Sequence, residues 1–338
     1  MQIDRCLLFH RRNDRRVHKE EVTGLFFGGL TRKALLSAVC IVIVCLFAFA
    51  LAEDMDSEYR ENEWNYVDQS MDVTGGIPGD ATGILARIRE AGVLRVALEP
   101  YYPPQEFIDE SLPRGEQIVG ADIELARLIA EKMGVELALV PMDFSLVLAA
   151  VNDGECDLAI SALSYTPGRA VTNTFSKGYY YGDDNSVVGL LIRTADQNTI
   201  QTIADLSDKI IVAQSGSLQE VLAAERIMDY HEFRRLKTLQ EVYLAVANSW
   251  ADAAIVNVAA AKAYIESHPQ QKLTLAPGIQ LQVAKEMEGD RIAGKKGDLQ
   301  LMYFVNGVID EVLADGRYAE WIKTYQVYWN RISQEENP

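Results

Sequence analysis

Cysteine is nearly absent from the part of this chain that can fold into a body. Of four cysteines in 338 residues, three (Cys6, Cys40 and Cys45) lie in or before an apolar run near the N-terminus. Only Cys156 follows that run, so no intrachain disulfide can form in the body and stability must come from core packing. No histidine lies near Cys156 in sequence, and we interpret it as a small apolar residue rather than a nucleophile.

The chain also has few histidines and no sequence typical of a phosphate-binding loop. After residue 52 the chain holds only His231 and His268, with no metal-ligand spacing and no nucleophile–base pair. A glycine-rich stretch at 74–80 has no strand before it and no Gly-Lys-Ser/Thr after it, which excludes a phosphate loop. We therefore expect neither a metal nor a cofactor.

The chain is also poor in positive charge. It has 32 Lys/Arg and 49 Asp/Glu, which gives a net charge of −17. The first 52 residues hold eight basic and four acidic residues, a balance of +4, so the remainder carries −21. Such an acidic body argues against nucleic acid as a partner, because phosphates need a basic face. We expect the acidity to keep an exported protein soluble.

The N-terminus combines basic residues with a long apolar run at 34–52. The run ends in a small-x-small pattern at 50–52, which predicts a cleaved signal peptide over 1–52. It is also long enough to span a bilayer, so an uncleaved anchor stays open. The following acidic, glycine-rich segment at 53–83 is typical of a flexible spacer. We expect a periplasmic or otherwise extracytoplasmic protein.

Helical and strand patterns alternate along the rest of the chain, which predicts an α/β fold with mostly parallel sheets flanked by helices. Two sets of such elements predict two lobes joined by two hinge crossovers, near 181–185 and 278–282. The predicted first lobe comprises 84–183 with 283–330, and the second comprises 184–282.

The most informative stretch is a short apolar strand at 157–162 followed by hydroxyl residues and a Thr-x-x-Arg turn. It places Arg169 beside Ser161, Ser164 and Thr166 at the carboxyl end of a strand, where open α/β sheets bind ligands. Arginine is well shaped to hold a carboxylate through two parallel hydrogen bonds. The alternative is a surface arginine after a turn, with the hydroxyls capping local backbone. The preceding strand and the tyrosine-rich segment that follows favour the carboxylate clamp.

Three further segments follow predicted strands and could face the same crevice. They are the proline- and tyrosine-rich run 99–107, the strand-to-helix turn 214–219, and Asn257 at the end of a strand. Each has a plainer interpretation, namely a rigid connection, a helix N-cap by Ser215 or Ser217, and an N-cap by Asn257. Taken alone, the plainer interpretation is favoured for each.

Nine short runs, in order and with matching spacing, carry a family resemblance over about residues 84–325. They are Gly-Val-Leu-Arg-Val at 92–96, Tyr-Pro-Pro at 102–104, Val-Gly-Ala-Asp-Ile-Glu-Leu-Ala at 119–126, Ser-Tyr-Thr-Pro-Gly-Arg at 164–169, Phe-Ser-x-x-Tyr at 175–179, Gln-Ser-Gly-Ser at 214–217, Ala-Asp-Ala-Ala-Ile-Val-Asn at 251–257, Lys-Lys-Gly-Asp-Leu at 295–299 and Asp-Gly-Arg-Tyr at 315–318. The chain thereby resembles the extracellular solute-binding proteins of family 3, which bind polar amino acids. That resemblance implies the two-lobed periplasmic-binding-protein-like fold of class II.

The resemblance also implies roles for individual residues. Arg169 would hold the carboxylate of the ligand, aided by a donor from Ser164 and by Ser217 of the second lobe. Tyr102 and Phe144 would wall the pocket. With Asn257, Thr166 and Glu99, these residues complete the predicted ligand-binding set. At 162, where some members carry serine, this chain has alanine, so only the backbone could contribute there.

Two departures from the family pattern concern the rest of the ligand. Asn257 stands where amino-acid binders usually carry an aspartate for the α-ammonium. An amide has no negative charge, so it lacks the electrostatic attraction to an ammonium that a carboxylate provides. Gln105 replaces a phenylalanine that is common after the paired prolines. We therefore hypothesise a carboxylate ligand that need not be a standard α-amino acid.

The favoured function is capture of a small carboxylate-bearing solute by lobe closure, with delivery to the permease of an ABC-type membrane transporter. We expect a monomer that is not an enzyme. Two alternatives stay open: a cyclohexadienyl-dehydratase-like enzyme with Glu99 as general acid, and a membrane-anchored sensory or accessory binding protein.

Overall fold

The computed structural model describes residues 83–182 and 187–335. The predicted signal peptide or anchor and nearly all of the predicted spacer lie outside these residues. In the two described ranges, no helix is long and apolar enough to cross a membrane.

Helices and strands alternate as the patterns predict. The helices are α1 (Gly83–Ala91), α2 (Ala121–Met133), α3 (Phe144–Asp153), α4 (Pro167–Thr172), α5 (Leu218–Arg226), α6 (Leu239–Ala247), α7 (Val258–Ser267), α8 (Leu299–Asp315) and α9 (Arg317–Glu335). The strands are β1 (Val93–Leu98), β2 (Tyr101–Tyr102), β3 (Glu106–Ile108), β4 (Ile118–Val119), β5 (Glu136–Pro141), β6 (Leu158–Ser164), β7 (Asn173–Phe175), β8 (Val187–Arg193), β9 (Ile210–Gln214), β10 (Glu232–Leu236), β11 (Ala253–Asn257), β12 (Leu273–Gln282) and β13 (Asp290–Lys295).

Two five-stranded sheets form the two lobes of the fold. Their orders are β5-β1-β6-β13-β7 in the first lobe and β10-β9-β11-β8-β12 in the second. In each sheet three neighbouring strands are parallel, and one further strand, β13 or β8, is antiparallel to both of its neighbours. The sheets are therefore mixed, with four strands in one direction and one opposed, rather than purely parallel.

The opposed strands are those that enter a sheet from the other lobe. The chain passes from β7 in the first sheet to β8 in the second, and from β12 in the second back to β13 in the first. Because the carboxyl ends of the parallel strands face the cleft, a segment arriving from the cleft runs the opposite way. These passages agree with the two predicted crossovers in number, and the proposed lobe boundaries stay a prediction.

The second passage begins later along the chain than the sequence indicates. Pro277-Gly278 does not end a strand, because β12 continues through it to Gln282. The pairing of β12 with β8 shifts register between Leu275 and Gln280, and Gly278 has φ of +82°. Pro-Gly therefore forms a bulge inside a long strand, a conformation that glycine permits.

A small sheet, β2-β3-β4, precedes α2 and was not anticipated from the sequence. It packs tightly on the start of α2: a Cβ at Gly120, whose φ is +139°, would lie 2.0 Å from the carbonyl oxygen of Gln105. The backbone N–H of Asp122 donates to that same oxygen at 2.9 Å. This sheet thereby brings β3 and the first turn of α2 beside the cleft.

The C-terminal helix α9 extends ten residues beyond the predicted end at Tyr325. Its extension is held by aromatic packing, since the rings of Tyr325, Tyr328 and Trp329 lie 5.3–6.1 Å from the ring of Phe107. The helix therefore covers the small sheet.

Cys156 is buried and unpaired, two residues before β6. Burial raises the pKa of its thiol, which disfavours the nucleophilic thiolate.

Candidate functional site

A cavity of about 40 Å³ lies between the two lobes at the ends of several strands. Its walls come from both lobes and are formed by Glu99, Tyr102, Glu106, Phe144, Ser161, Ala162, Ser164, Arg169, Val188, Gln214, Ser217, Leu218, Gln219, Asn257 and Asp290. β6, β9 and β11 end in lining residues, and β1 ends one residue before Glu99. The cavity thus occupies the position at the carboxyl ends of strands where this class of sheet binds ligands.

Arg169 connects the two walls of this cavity. Its Nη1 donates to the carbonyl oxygen of Ser164 at 2.6 Å, and its Nη2 donates across the cleft to that of Gly216 at 2.8 Å. The guanidinium carbon lies 5.7 Å from the centre of the Phe144 ring, a cation–π distance. Arg169 is placed by α4, whose N-cap Thr166 accepts the backbone N–H of Arg169 at 3.1 Å.

The environment of Arg169 favours an anionic partner. Desolvation by burial lowers its pKa from 12.5 to about 10, so the guanidinium remains protonated at neutral pH. Its described acceptors are neutral carbonyl oxygens. A carboxylate accepts more strongly from a guanidinium than a carbonyl does, because the hydrogen bonds are then charge-assisted. The position of Arg169 therefore suits recognition of a carboxylate.

Three carboxylates share the cavity with this arginine. Glu99, Glu106 and Asp290 all line it, with exposed fractions of 1%, 0% and 3%. The Ser161 hydroxyl donates to Oε1 of Glu106 at 3.0 Å and accepts the backbone N–H of Glu99 at 3.0 Å. Oε1 of Glu99 and Oε2 of Glu106 have no hydrogen-bond partner within the described parts of the chain. The cavity therefore presents acceptor atoms that a cationic group could satisfy.

Burial raises the pKa values of two of these acids, Glu99 and Glu106. Desolvation raises the pKa of Glu99 to about 7, against hydrogen bonds that lower it. Desolvation, followed by the charges of Asp122 and Glu99, raises the pKa of Glu106 well above its usual value. A cation that entered the cavity would favour the ionised form of such groups.

Asp122 supports the cavity from behind. Its carboxylate accepts from the hydroxyls of Tyr318 at 2.5 Å and Tyr179 at 2.8 Å, and from the backbone N–H of Ala162 at 3.0 Å. Burial still raises its pKa, because desolvation outweighs these three donors. Ala162 has φ of +45°, a conformation that is unfavourable for alanine and that the bond to Asp122 helps to hold. The backbone N–H of Ala162 is thus hydrogen-bonded to Asp122 within the first lobe.

The second lobe presents helix N-termini to the same cavity. The Ser217 hydroxyl caps α5 by accepting the N–H of Glu220 at 3.1 Å, and it donates to the carbonyl of Gln214 at 2.7 Å. Oδ1 of Asn257 caps α7 by accepting the N–H of Ala260 at 3.0 Å. Both residues therefore act as caps and line the cavity as well. First-turn N–H groups of such helices lack intrahelical partners and favour anions.

The structure brings seven of the eight predicted ligand-binding residues to this cavity. These are Glu99, Tyr102, Phe144, Ser164, Arg169, Ser217 and Asn257. Thr166 is buried at the start of α4 and serves as its cap instead of lining the cavity. Contact between any of them and a ligand stays a prediction.

Sequence reasoning missed the acidic character of the cavity. Glu106 lies in the proline- and tyrosine-rich run, where only the aromatic residues and Glu99 were considered as functional. Asp290 carries no local signal, because β13 brings it back from the second lobe. The hypothesis that the site binds the ammonium group of an amino acid only weakly rested on Asn257 alone. Within residues 83–182 and 187–335, no group of three or more potential metal-binding side chains is arranged to hold a metal ion.

A model of the family described as bacterial extracellular solute-binding proteins, family 3, matches residues 94–327. The "Probable histidine-binding protein" of Campylobacter jejuni is 28% identical over 239 residues, which cover 69% of this chain and 85% of that protein. The "Arginine-binding extracellular protein ArtP" of Bacillus subtilis is 28% identical over 216 residues, 64% of this chain and 78% of its own length.

Solved structures agree with the fold described above. The amino acid ABC transporter substrate-binding protein AbpA of Streptococcus pneumoniae, bound to L-arginine, is 33% identical with a TM-score of 0.64. The match covers 72% of this chain and 98% of that one. An ancestral arginine-binding protein bound to arginine is 26% identical with a TM-score of 0.59, covering 69% and 98% of the two chains.

Proposed function

Because this chain belongs to the bacterial extracellular solute-binding proteins of family 3, we propose that it captures an amino acid with a cationic side chain. The observation that carries the proposal is the pairing, in one cavity, of Arg169 with three buried carboxylates. The family membership supports solute binding as the role, and the charge pattern indicates the class of solute.

The carboxylate of the amino acid would bind Arg169. This group already bridges the lobes through carbonyls of Ser164 and Gly216. Because the cavity of about 40 Å³ is smaller than an amino acid, the lobes would move apart to admit the solute, and its carboxylate would replace the contact to Gly216. Ser164 and Ser217 would add polar contacts, and Tyr102 and Phe144 would flank the aliphatic part of the solute. The relatives named for arginine and histidine binding support an amino acid as the ligand.

The cationic groups would bind among Glu99, Glu106 and Asp290. These acids outnumber the single arginine, and a cation bound among them would favour their ionised forms, so a solute with more positive than negative charge would balance the cavity. The unsatisfied oxygens of Glu99 and Glu106 would each gain a charge-assisted hydrogen bond. This arrangement replaces the negative charge that an aspartate at position 257 would supply.

The destination of the solute follows from the same family assignment. We propose that the protein acts outside the cytoplasm as a monomer and delivers its solute to the permease of an ABC transporter. Export would use the signal at 1–52, either cleaved or kept as an anchor.

Titration calorimetry with three matched solutes tests the ligand class. L-Arginine carries both charges, L-citrulline lacks the side-chain cation at nearly the same shape, and agmatine lacks the carboxylate. We expect L-arginine to bind at least about 100-fold more tightly than either, since each loses one buried charge-assisted contact. Citrulline or another neutral carboxylate binding as tightly as arginine would refute the cationic class.

Catalysis is the second candidate, because Glu99 is a buried acid whose pKa is raised to about 7. We propose binding without turnover, because the relatives that this chain resembles are named as binding proteins. Incubation with prephenate or arogenate and chromatography of the products decides between them. Turnover that disappears in Glu99→Gln would establish the enzyme.

A further inference from the structure

A second cavity, of about 190 Å³, lies next to the first and shares Tyr102 and Asn257 with it. Its walls come from four separate parts of the fold: the start of the small sheet, the first crossover, the beginning of α7, and α9. The lining residues are Tyr102, Pro103, Pro104, Gln105, Tyr180, Gly182, Asn257, Ala259, Ala260, Ala263, Ile322 and Gln326.

Hydrocarbon forms most of this wall. Prolines 103 and 104, three alanines of α7 and Ile322 contribute no side-chain hydrogen-bonding group. A cavity of this character and size is suited to a small ring or a short chain, since an engineered apolar cavity of about 150 Å³ binds benzene. The charged groups of the first cavity are absent from this lining.

Polar side chains also line this cavity, namely those of Tyr102, Gln105, Tyr180, Asn257 and Gln326. Gln105 is only 4% exposed, and its side-chain oxygen Oε1 has no hydrogen-bond partner among the described residues. A buried acceptor without a donor destabilises the protein until a donor reaches it. An occupant that suits both features is a mostly apolar group that carries a donor for this oxygen.

We propose that this cavity is a second binding site, specific for a small, mostly apolar group with one N–H or O–H donor directed at Gln105. The site requires no amino acid in the first cavity. Its walls include both lobes, through Pro104 of the first and Ala263 of the second, so an occupant bridges them. Occupancy therefore favours the arrangement in which the lobes are together.

The donor-bearing group has two sources. It is either a separate molecule or the far end of a long solute whose carboxylate binds Arg169, because Tyr102 and Asn257 line both cavities. The two sources share one chemistry and differ in how they respond to an amino acid in the first cavity.

Fluorine NMR with two probes of equal shape tests the site on the full chain. 4-Fluorophenol carries the donor and 4-fluorotoluene replaces it with a methyl group. We expect 4-fluorophenol to bind about tenfold more tightly, the difference expected for one buried hydrogen bond. In Gln105→Leu, which keeps the side-chain size and removes the acceptor, we expect this preference to vanish while 4-fluorotoluene still binds.

A filling variant and its control locate the binding. Ala263→Phe places a ring into the cavity from α7 and is expected to abolish binding of both probes. Glu266→Phe adds the same ring to an exposed position of the same helix and is expected to change neither affinity. Absence of probe binding to the wild type, or an unchanged preference in Gln105→Leu, would overturn the proposal.

Titrations repeated with saturating L-arginine separate the two sources. Unchanged or tighter binding of 4-fluorophenol assigns the site to a separate molecule, and competition assigns it to the far end of a longer solute. Either result supports the site. Because the first titration uses no amino acid, its failure is distinct from failure of the proposed amino-acid ligand.

Discussion

The two lobes contribute different chemistry to the cleft that they share. Among the described lining residues, Glu99, Glu106, Arg169 and Asp290 all belong to the first lobe, and they are the only charged ones. The second lobe lines the cleft with neutral groups, such as Ser217 and Asn257 at the starts of helices. A solute with both charges would find its ionic partners on the first lobe alone.

That difference indicates an order for binding and closure. The ionic contacts of a solute would form on one lobe, and the neutral lobe would then exclude water from them, which would strengthen them. Burying further charges on the closing lobe would add a desolvation cost. Two kinds of variant test this asymmetry between the lobes: removal of a charge from the first lobe and addition of a charge to the second.

Removal of the arginine should have the largest effect. Arg169→Ala deletes the charge-assisted contacts to a carboxylate, worth about 3–4 kcal/mol or a factor of roughly 10² to 10³ in Kd. The fold should persist, because the bond from Arg169 that helps cap α4 uses its backbone N–H. Calorimetry measures the loss. Arg127→Ala, which removes a 47% exposed arginine from α2, is the control and should bind normally. Equal affinity of the two variants would remove Arg169 from the site.

Neutralising Glu99 should raise stability at alkaline pH. The folded pKa of about 7 lies above the ordinary value of 4.5, so the folded state binds the proton more tightly than the unfolded chain. This burial therefore favours folding at low pH, and the advantage is lost as pH rises from about 4.5 through 7. By linkage, Glu99→Gln should stabilise the protein by about 2–3 kcal/mol at pH 8 and by little at pH 4. Urea unfolding at both pH values measures this, and a larger gain at pH 4 would contradict the sign.

The same acid should make binding of a cationic amino acid depend on pH. The ionised form of Glu99 favours the cation, so affinity should fall by about tenfold between pH 8 and pH 6 as a group with a pKa near 7 takes up its proton. Glu99→Gln should bind more weakly at pH 8 and lose this dependence. Calorimetry across the range tests it. A pH profile in the variant that matches the wild type would assign the titration to another group.

Adding a charge to the second lobe should have the smallest effect. Asn257→Asp keeps an oxygen for the cap on Ala260, and a carboxylate is favoured at a helix N-terminus. We expect roughly threefold tighter binding of a cationic amino acid, because the new charge joins three acids already present. Asn248→Asp, at an exposed position of the same lobe, is the control. A gain of 100-fold or more would show that the first lobe does not supply the main cationic partner.

Local pattern was sufficient for most of the helices and strands. The 3.6-residue spacing of apolar positions and the glycines at 134, 154 and 316 predict where helices end, and each of these glycines has a positive φ as a C-cap. Arg169 was identifiable because the strand, the turn and the arginine are contiguous. Such signals lie within one or two elements of each other.

Contacts between segments that are distant in sequence could not be predicted from local sequence patterns. The small sheet has strands of two or three residues, too short for alternation to be recognised. The preference of Thr166 for its helix cap over the cavity depends on side-chain direction, which spacing does not reveal. The extension of α9 beyond Tyr325 depends on the partner that its aromatic residues find at Phe107.

The family and the alternation of helices and strands can be recognised from sequence alone, and the sequence also predicts an arginine, Arg169, that would meet a carboxylate. Each follows from the chemistry of neighbouring residues. Glu106 and Asp290 lie 184 positions apart in sequence, and their place in one cavity with Arg169 is visible only in the tertiary structure. Their meeting results from β13 returning to the first sheet beside β6, and the raised pKa of Glu106 results from burial, which no local pattern encodes.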